Sequence, residues 1–295
     1  MLIKKISFFA LAALLVVGCK ETKKEENIEE EVVVEEPAKP AVELYAFDGG
    51  SVMANNLNLF AQGDTYKGES KQLADAFYVI KHPDGILLWD TGLPEMLVGQ
   101  GEYTPEGGAF TISRKDSITT QLKTIGLSPE DVDIIAFSHI HFDHTGAANH
   151  FADAKWLIQQ SEDDFLNSDE IKGNSFYNPD TFSALKNKEV IANKDYDVFG
   201  DGSVVIKYMP GHTAGHNALF IDLPETGPLV LTGDTYHFEQ NREDAIVPQF
   251  NYDIPESEET IKAFEAFVKE KNAKVWIQHD LDDFNAMTKA PTALK

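Results

Sequence analysis

Past residue 40, short runs of β-branched and aromatic residues alternate with stretches of helical period. VELYAF (42–47), AFYVIKH (76–82) and GILLWD (85–90) read as strands, the last two joined at His82-Pro83-Asp84-Gly85 by a hairpin turn. DIIAFSH (133–139) is apolar enough for a strand buried on both faces, and AKWLIQQ, SVVIKYM, NALFIDL, PLVLTGD and KVWIQHD follow it at later positions. Helical spacing appears within 113–126 at Ile118, Leu122 and Ile125, ending at Gly126, and again at Ile261, Phe264 and Val268 within 257–270. Ser128-Pro129-Glu130-Asp131 has the order of an N-cap followed by proline and first-turn acids. Between them, 92–109 is a Gly-, Pro- and Glu-rich connection longer than most, of the kind that forms a lid or is disordered. Strands, a few helices, then the same again predict an α/β chain in which sheets are sandwiched by helices, with no short-period repeat.

The pattern changes at the N-terminus. Lys4 and Lys5, an apolar run from Ile6 to Val17, then Gly18 and Cys19 predict a signal peptide over 1–19. The run is too short for a stable membrane-spanning helix. VVGC also resembles a bacterial lipobox, which implies cleavage before Cys19 and a lipid on its sulfur. Export follows, to the periplasm, to the outer membrane as an anchored lipoprotein, or beyond the cell. Residues 20–40 are dense in glutamate and poor in aromatics, as in a flexible acidic linker. The folded domain is expected over 41–295.

Composition narrows the chemistry. Cys19 is the only cysteine, so the mature domain has no internal disulfide and no catalytic or metal-binding thiolate. The formal net charge of -24 excludes a phosphate-binding surface for nucleic acid and favours cationic metals and neutral small molecules.

Of nine histidines, three fall in SHIHFDHTG (138–146). In an extended segment His139 and His141, two apart, project to one side, and Asp143 and His144 follow a turn of the backbone. Four ligands suit one tetrahedral ion and cannot close two sites. Other strand ends supply more: His212 or His216 in PGHTAGH, Asp234 in LTGD and His279 in IQHD. The count gives His139, His141 and His212 to one ion, Asp143, His144 and His279 to the other, and Asp234 as a bridge. That is the pattern of a hydrolytic two-metal site, with Zn2+ as the expected ion. Asp90 in WDTG reads either as a turn residue or as a carboxylate orienting a ligand histidine. His82 and His150 read as ordinary structural histidines, and Asp280 as a capping or loop acid.

These residues resemble the metallo-β-lactamase superfamily, whose signature HxHxDH stands here as His139, His141, Asp143 and His144, with His212, Asp234 and His279 following in order. The resemblance implies an αββα sandwich, two mixed sheets flanked by helices. SHIHFDHTG, PGHTAGHNALFI and NREDAIVPQFNYD look like the N-acyl-homoserine lactonase branch, including its exported bacterial members. That implies that His212 is the ligand with His216 behind it, and that Phe142 faces substrate. It further implies quorum quenching, by attack of a metal-bridging hydroxide on the lactone carbonyl. Asp143, Tyr236 and His237 are the candidate catalytic residues. The lactonases place a tyrosine three positions after the bridging aspartate; here that position is His237, with Tyr236 one earlier, and either side chain could deliver the proton. The acyl tail is expected near the 92–111 loop, with Phe110 as a wall. A histidine at 237 resembles phosphotriester-hydrolysing relatives, so a phosphotriesterase or arylesterase is the alternative enzyme. A non-catalytic metal-binding surface lipoprotein is the alternative from another class. No feature of the sequence sets an oligomeric state.

Overall fold

The computed structural model describes residues 39–295; the expected signal peptide, Cys19 and nearly all of the linker lie outside the described residues. A seven-stranded sheet is built from β1 (Glu43–Ala54), β2 (Lys71–His82), β3 (Gly85–Trp89), β4 (Phe110–Ser113), β5 (Ile134–Ala136), β6 (Lys155–Gln159) and β7 (Lys188–Ile191), in the order β4-β1-β2-β3-β5-β6-β7. Its β4, β1, β2 and β3 pair antiparallel, and β3, β5, β6 and β7 pair parallel. A five-stranded sheet holds β8 (Tyr196–Asp197), β9 (Val204–Tyr208), β10 (Asn217–Leu223), β11 (Gly227–Leu231) and β12 (Lys274–Trp276), in the order β12-β11-β10-β9-β8. The helices are α1 (Ile118–Leu122), α2 (Phe142–Thr145), α3 (Gln160–Leu166), α4 (Glu239–Glu243), α5 (Ile254–Lys271) and α6 (Leu281–Ala286).

Strand alternation explains the layers. On β2, Ala76, Tyr78 and Ile80 face the second sheet, where Leu219, Ile221, Leu229 and Leu231 meet them. Phe77 and Val79, on the opposite face, pack with Ile118, Leu122 and Phe151. The outer face of the second sheet, with Phe220 and Val230, is covered by Ile261, Phe264 and Val268 of α5. Both faces of the central strands are therefore buried, which is why their sequences run almost continuously apolar. The result is the expected αββα sandwich.

Boundaries depart from the sequence reading where local geometry intervenes. Strand β1 continues past Phe47 to Ala54 because a register shift between Asp48 and Gly50 absorbs the Gly-Gly pair. The helix expected over 113–126 is only the five residues of α1 and a 3-10 turn, closed by Gly126 at φ 74°. Helix α5 begins earlier than expected, at Ile254, where the Asp253 side chain accepts from Glu256 N.

Candidate metal centre

Strand β5 ends at Ala136, so His139 and His141 lie beyond it rather than on it. What brings them together is the chain's turn into α2, for which His141 is the N-cap. Asp143 and His144 sit in that helix. His212 comes from the β9–β10 connection, Asp234 from the 3-10 turn Gly233–Thr235 after β11, and His279 from the segment after β12. Gly233 must be glycine: its φ is +51°, and a Cβ there would lie 2.7 Å from both His216 Nε2 and Ser138 Cβ.

Two clusters result. His139 Nε2 is 2.8 Å from His141 Nδ1, and His212 Nε2 is 3.2 Å from each. Asp143, His144 and His279 form the second group. Asp234 stands between them. Its Oδ2 is 3.2 Å from His212 Nε2, and its Oδ1 is 3.2 Å from His279 Nε2 and 3.4 Å from His144 Nε2.

The outer nitrogens decide what the inner ones can do. His212 Nδ1 meets Asn251 Oδ1 at 2.9 Å, His279 Nδ1 meets Ala74 O at 2.8 Å, and His144 Nδ1 meets Asp90 Oδ2 at 3.2 Å. Each of these partners only accepts, so the single N–H of a neutral ring points outward. On a neutral ring the inward Nε2 atom carries a bare lone pair, and such lone pairs repel at these distances unless a metal ion or a proton lies between them. Asp234 Oδ1, buried and without a hydrogen bond, is a further donor aimed into the same space. The residues therefore fit divalent metal: His139, His141, His212 and Asp234 for one ion, and Asp143, His144, His279 and Asp234 for another.

Titration agrees with this charge layout. Burial, and then the neighbouring imidazoles, hold His139 and His141 well below the usual histidine range. For His279 burial pulls the same way but Asp234 outweighs it, raising the ring to about 9. His144 is likewise raised against its burial, by Asp234 and then Asp90. Without metal, protons on the second cluster supply the positive charge that the carboxylates demand.

The supporting residues are specific. Asp90, at φ 59°, ends β3 and accepts Ser138 N at 2.8 Å and Gln278 Nε2 at 2.9 Å besides holding His144. Asp90 thus stands against a candidate ligand histidine, which fits the orienting reading. His216 lies behind the ligands as expected, its Nδ1 donating to Met209 O at 2.8 Å and its Nε2 accepting Asp234 N at 2.8 Å. Asp280 caps α6, accepting from Asp282 N and Asp283 N.

Tyr236 requires correction. Its hydroxyl donates to Glu265 Oε1 at 3.0 Å and its ring packs on Phe264, both on α5, away from the clusters. Backbone at 236 is extended, so consecutive side chains point opposite ways, and His237 is the one that faces inward. His237 Nε2 is 3.0 Å from Asp234 Oδ2; its Nδ1 is buried without a partner, and burial holds the ring down at about 4.

Above the two clusters lies a cavity walled by Val52, Phe60, Leu73, Phe110, Phe142, Phe176 and Phe250, with His237, Asp143 and His279 at its floor. Phe142 also borders an open groove of about 920 Å³ beneath the 94–105 segment. Phe142 and Phe110 were legible from sequence. Phe60, Phe176 and Phe250, from three separate loops, were not. Ser138, Gln278 and Asn251 were also missed, although each lies within a motif already quoted.

A family model described as the metallo-beta-lactamase superfamily matches residues 75–279. The chain is 28% identical over 260 residues to the N-acyl homoserine lactonase AttM of Azorhizobium caulinodans, covering 85% of this chain and 97% of that protein. It is 29% identical over 216 residues to the N-acyl homoserine lactonase AiiA of Bacillus thuringiensis subsp. kurstaki, covering 70% and 80%. A crystal structure of a B. thuringiensis AiiA variant with N-decanoyl-L-homoserine at its active site superposes with a TM-score of 0.75 at 27% identity, covering 85% of this chain and 98% of that one.

Proposed function

The chain belongs to the metallo-β-lactamase superfamily, and from that membership we propose that it is a metal-dependent hydrolase that opens the ring of N-acyl-homoserine lactones. The observation that carries the proposal is the juxtaposition of two His/Asp clusters, sharing Asp234, with a cavity walled by phenylalanines. The first suits hydrolysis at a carbonyl; the second suits a neutral substrate with an apolar tail. The named activity of the AttM and AiiA relatives supports the same reading.

His139, His141, His212 and Asp234 would hold one ion, and Asp143, His144, His279 and Asp234 the other, with Zn2+ the expected metal. When bound, such ions supply Lewis acidity toward a carbonyl oxygen and make water a nucleophile at neutral pH. The chain's own residues supply the rest. Phe142 and its aromatic neighbours exclude bulk water from the cavity and receive the apolar part of the substrate. The groove beside Phe142 gives a longer acyl tail somewhere to go. His237, uncharged at neutral pH, has one ring nitrogen on Asp234 and the other free of protein partners. Of the two sequence candidates, its position at the cavity floor supports it as the one that handles the proton of the departing ring oxygen.

A histidine at 237 also favours a second reading, hydrolysis of phosphotriesters or aryl esters. Purified protein beginning near Ala41 should be assayed on homoserine lactones of graded chain length, a phosphotriester and a β-lactam, with metal content measured on the same sample. Ring opening faster than phosphotriester cleavage is the expected result; the reverse order overturns the lactonase assignment. The signal and lipobox patterns further support export with a lipid on Cys19, which Cys19→Ser should abolish, as read by incorporation of labelled palmitate.

A further inference from the structure

Glu162 stands in the first turn of α3, with 2% of its surface exposed, and reaches across to two loops at once. Its Oε1 accepts Ile140 N at 3.1 Å and its Oε2 accepts Gly215 N at 2.7 Å. Ile140 lies between His139 and His141; Gly215 lies three residues after His212. One buried carboxylate thus ties the two loops that supply all three histidines of the first cluster. Ile140 precedes α2 in the segment that leads to Asp143 and His144, but Glu162 bonds neither α2 itself nor the segment that carries His279.

The contact is close as well as polar. A Cβ on Gly215 would lie 2.6 Å from both Glu162 Cβ and Glu162 N, so the loop rests directly on the start of α3. The same corner is braced by Gln159, whose Nε2 donates to Asn217 Oδ1 at 2.9 Å, while Asn217 N donates to Ser138 O at 2.7 Å. The β6–α3 corner is thereby a template on which the 138–141 and 211–217 segments are laid.

Resting on the metal-centre reading above, we propose that Glu162 is a positioning residue for the first metal alone: it sets the spacing of His139 and His141 relative to His212, and the second cluster assembles without it. Glutamine at 162 keeps the volume but can accept at only one of the two loops. Its amide nitrogen opposes the other loop's N–H, donor against donor, and that loop shifts away.

The test is stepwise zinc binding by the whole folded domain, measured against a competing chelator. It is paired with cobalt(II) substitution, in which the paramagnetically shifted ring N–H resonances of each histidine report its own site. Wild type should bind two ions. Glu162→Gln should lose about 10- to 100-fold in affinity at the His139/His141/His212 site, the range expected when a ligand's outer support is removed, with the His144 and His279 signals and the other affinity within twofold of wild type. Asp143→Ala should give the mirror image. A loss shared equally by both sites, or no loss at either, overturns the positioning role while leaving the metal centre intact. Wild type that binds no metal overturns the metal-centre reading itself, and this role with it. Should Glu162→Gln fail to fold, Gly215→Ala moves the same loop off the same corner, and the same site-selective loss is required of it.

Discussion

Asp90→Asn isolates one buried carboxylate at the heart of the scaffold. Asp90, Ser138, His144 and Gln278 are all fully buried, so no solvent replaces a lost partner. Asp90 Oδ1 accepts Ser138 N at 2.8 Å; Oδ2 accepts Gln278 Nε2 at 2.9 Å and His144 Nδ1 at 3.2 Å. An asparagine can keep only one of these sides. With its oxygen toward Gln278 and His144, its amide nitrogen meets the Ser138 N–H, orphaning one buried donor at a cost of about 1–3 kcal/mol. The opposite orientation orphans two. Gln278 cannot relieve this by turning, because the same Nε2 also donates to Ala76 O at 2.7 Å. The better orientation therefore sets the expectation: about 1–3 kcal/mol lost in urea denaturation of metal-free protein. A neutral amide also fails to support the basicity of His144, so zinc affinity at the second site should fall roughly 10- to 100-fold. An asparagine variant within about 0.5 kcal/mol of wild type, with unchanged zinc affinity, would refute this account of Asp90.

His237→Ala should lower turnover by about 100-fold or more, the range for loss of a proton-transfer group, whereas Tyr236→Phe should stay within a few-fold and cost only about 1 kcal/mol of stability through its lost bond to Glu265; steady-state kinetics showing the reverse order would reinstate the tyrosine. Asp75 is buried with neither oxygen partnered, and this desolvation, opposed by His279, raises its pKa from 3.8 to about 8. The folded state of metal-free protein then holds a proton the unfolded chain has released, so this contribution is complete below about pH 4 and is lost as pH rises toward 8, at up to about 1.4 kcal/mol per pH unit. Asp75→Asn should remove that slope in denaturation curves taken across the interval, and an unchanged slope would rule Asp75 out as its source. Phe142→Ala should raise KM for long-chain lactones by about tenfold, the equivalent of one lost apolar contact of about 1.4 kcal/mol, with kcat little changed; equal effects on short and long chains would remove Phe142 from the tail site. Chelation should abolish ring opening and lower thermal stability, by about 2.7 kcal/mol for a site held at a hundred times its Kd, with zinc restoring both; hydrolysis that survives complete metal removal would end the metal-dependent proposal.

The candidate ligands were legible because each stands just past an apolar run, where a buried strand ends and a loop begins. His139, Asp234 and His279 all follow that rule. What the sequence could not express was direction. His139 and His141 converge not through strand alternation but through the turn into α2, and the choice between Tyr236 and His237 depends on where the 3-10 turn at Gly233–Thr235 stops. Phenylalanines 60, 176 and 250 had no signal, since nothing local marks residues that meet only when three loops close over one cavity. Glu162 was equally silent: acidic residues in the first turn of a helix are ordinary, and only the two N–H groups it meets distinguish this one.

Each cluster draws on both sheets. His139, His141, Asp143 and His144 follow β5 of the larger sheet, while His212, Asp234 and His279 follow strands of the smaller one. The supports cross in the same way: Gln278, after β12, donates to Ala76 O on β2, and His279 Nδ1 to Ala74 O on the same strand. The apolar interior that docks the sheets therefore also sets the distance between the candidate ligands. Conversely, an ion held by ligands from both sheets would favour their docked arrangement, so metal affinity and sheet docking should be linked. The dense, fully buried packing of Tyr78, Trp89, Leu219 and Leu231 between the sheets therefore holds in place the two sets of segments that carry the seven candidate ligands.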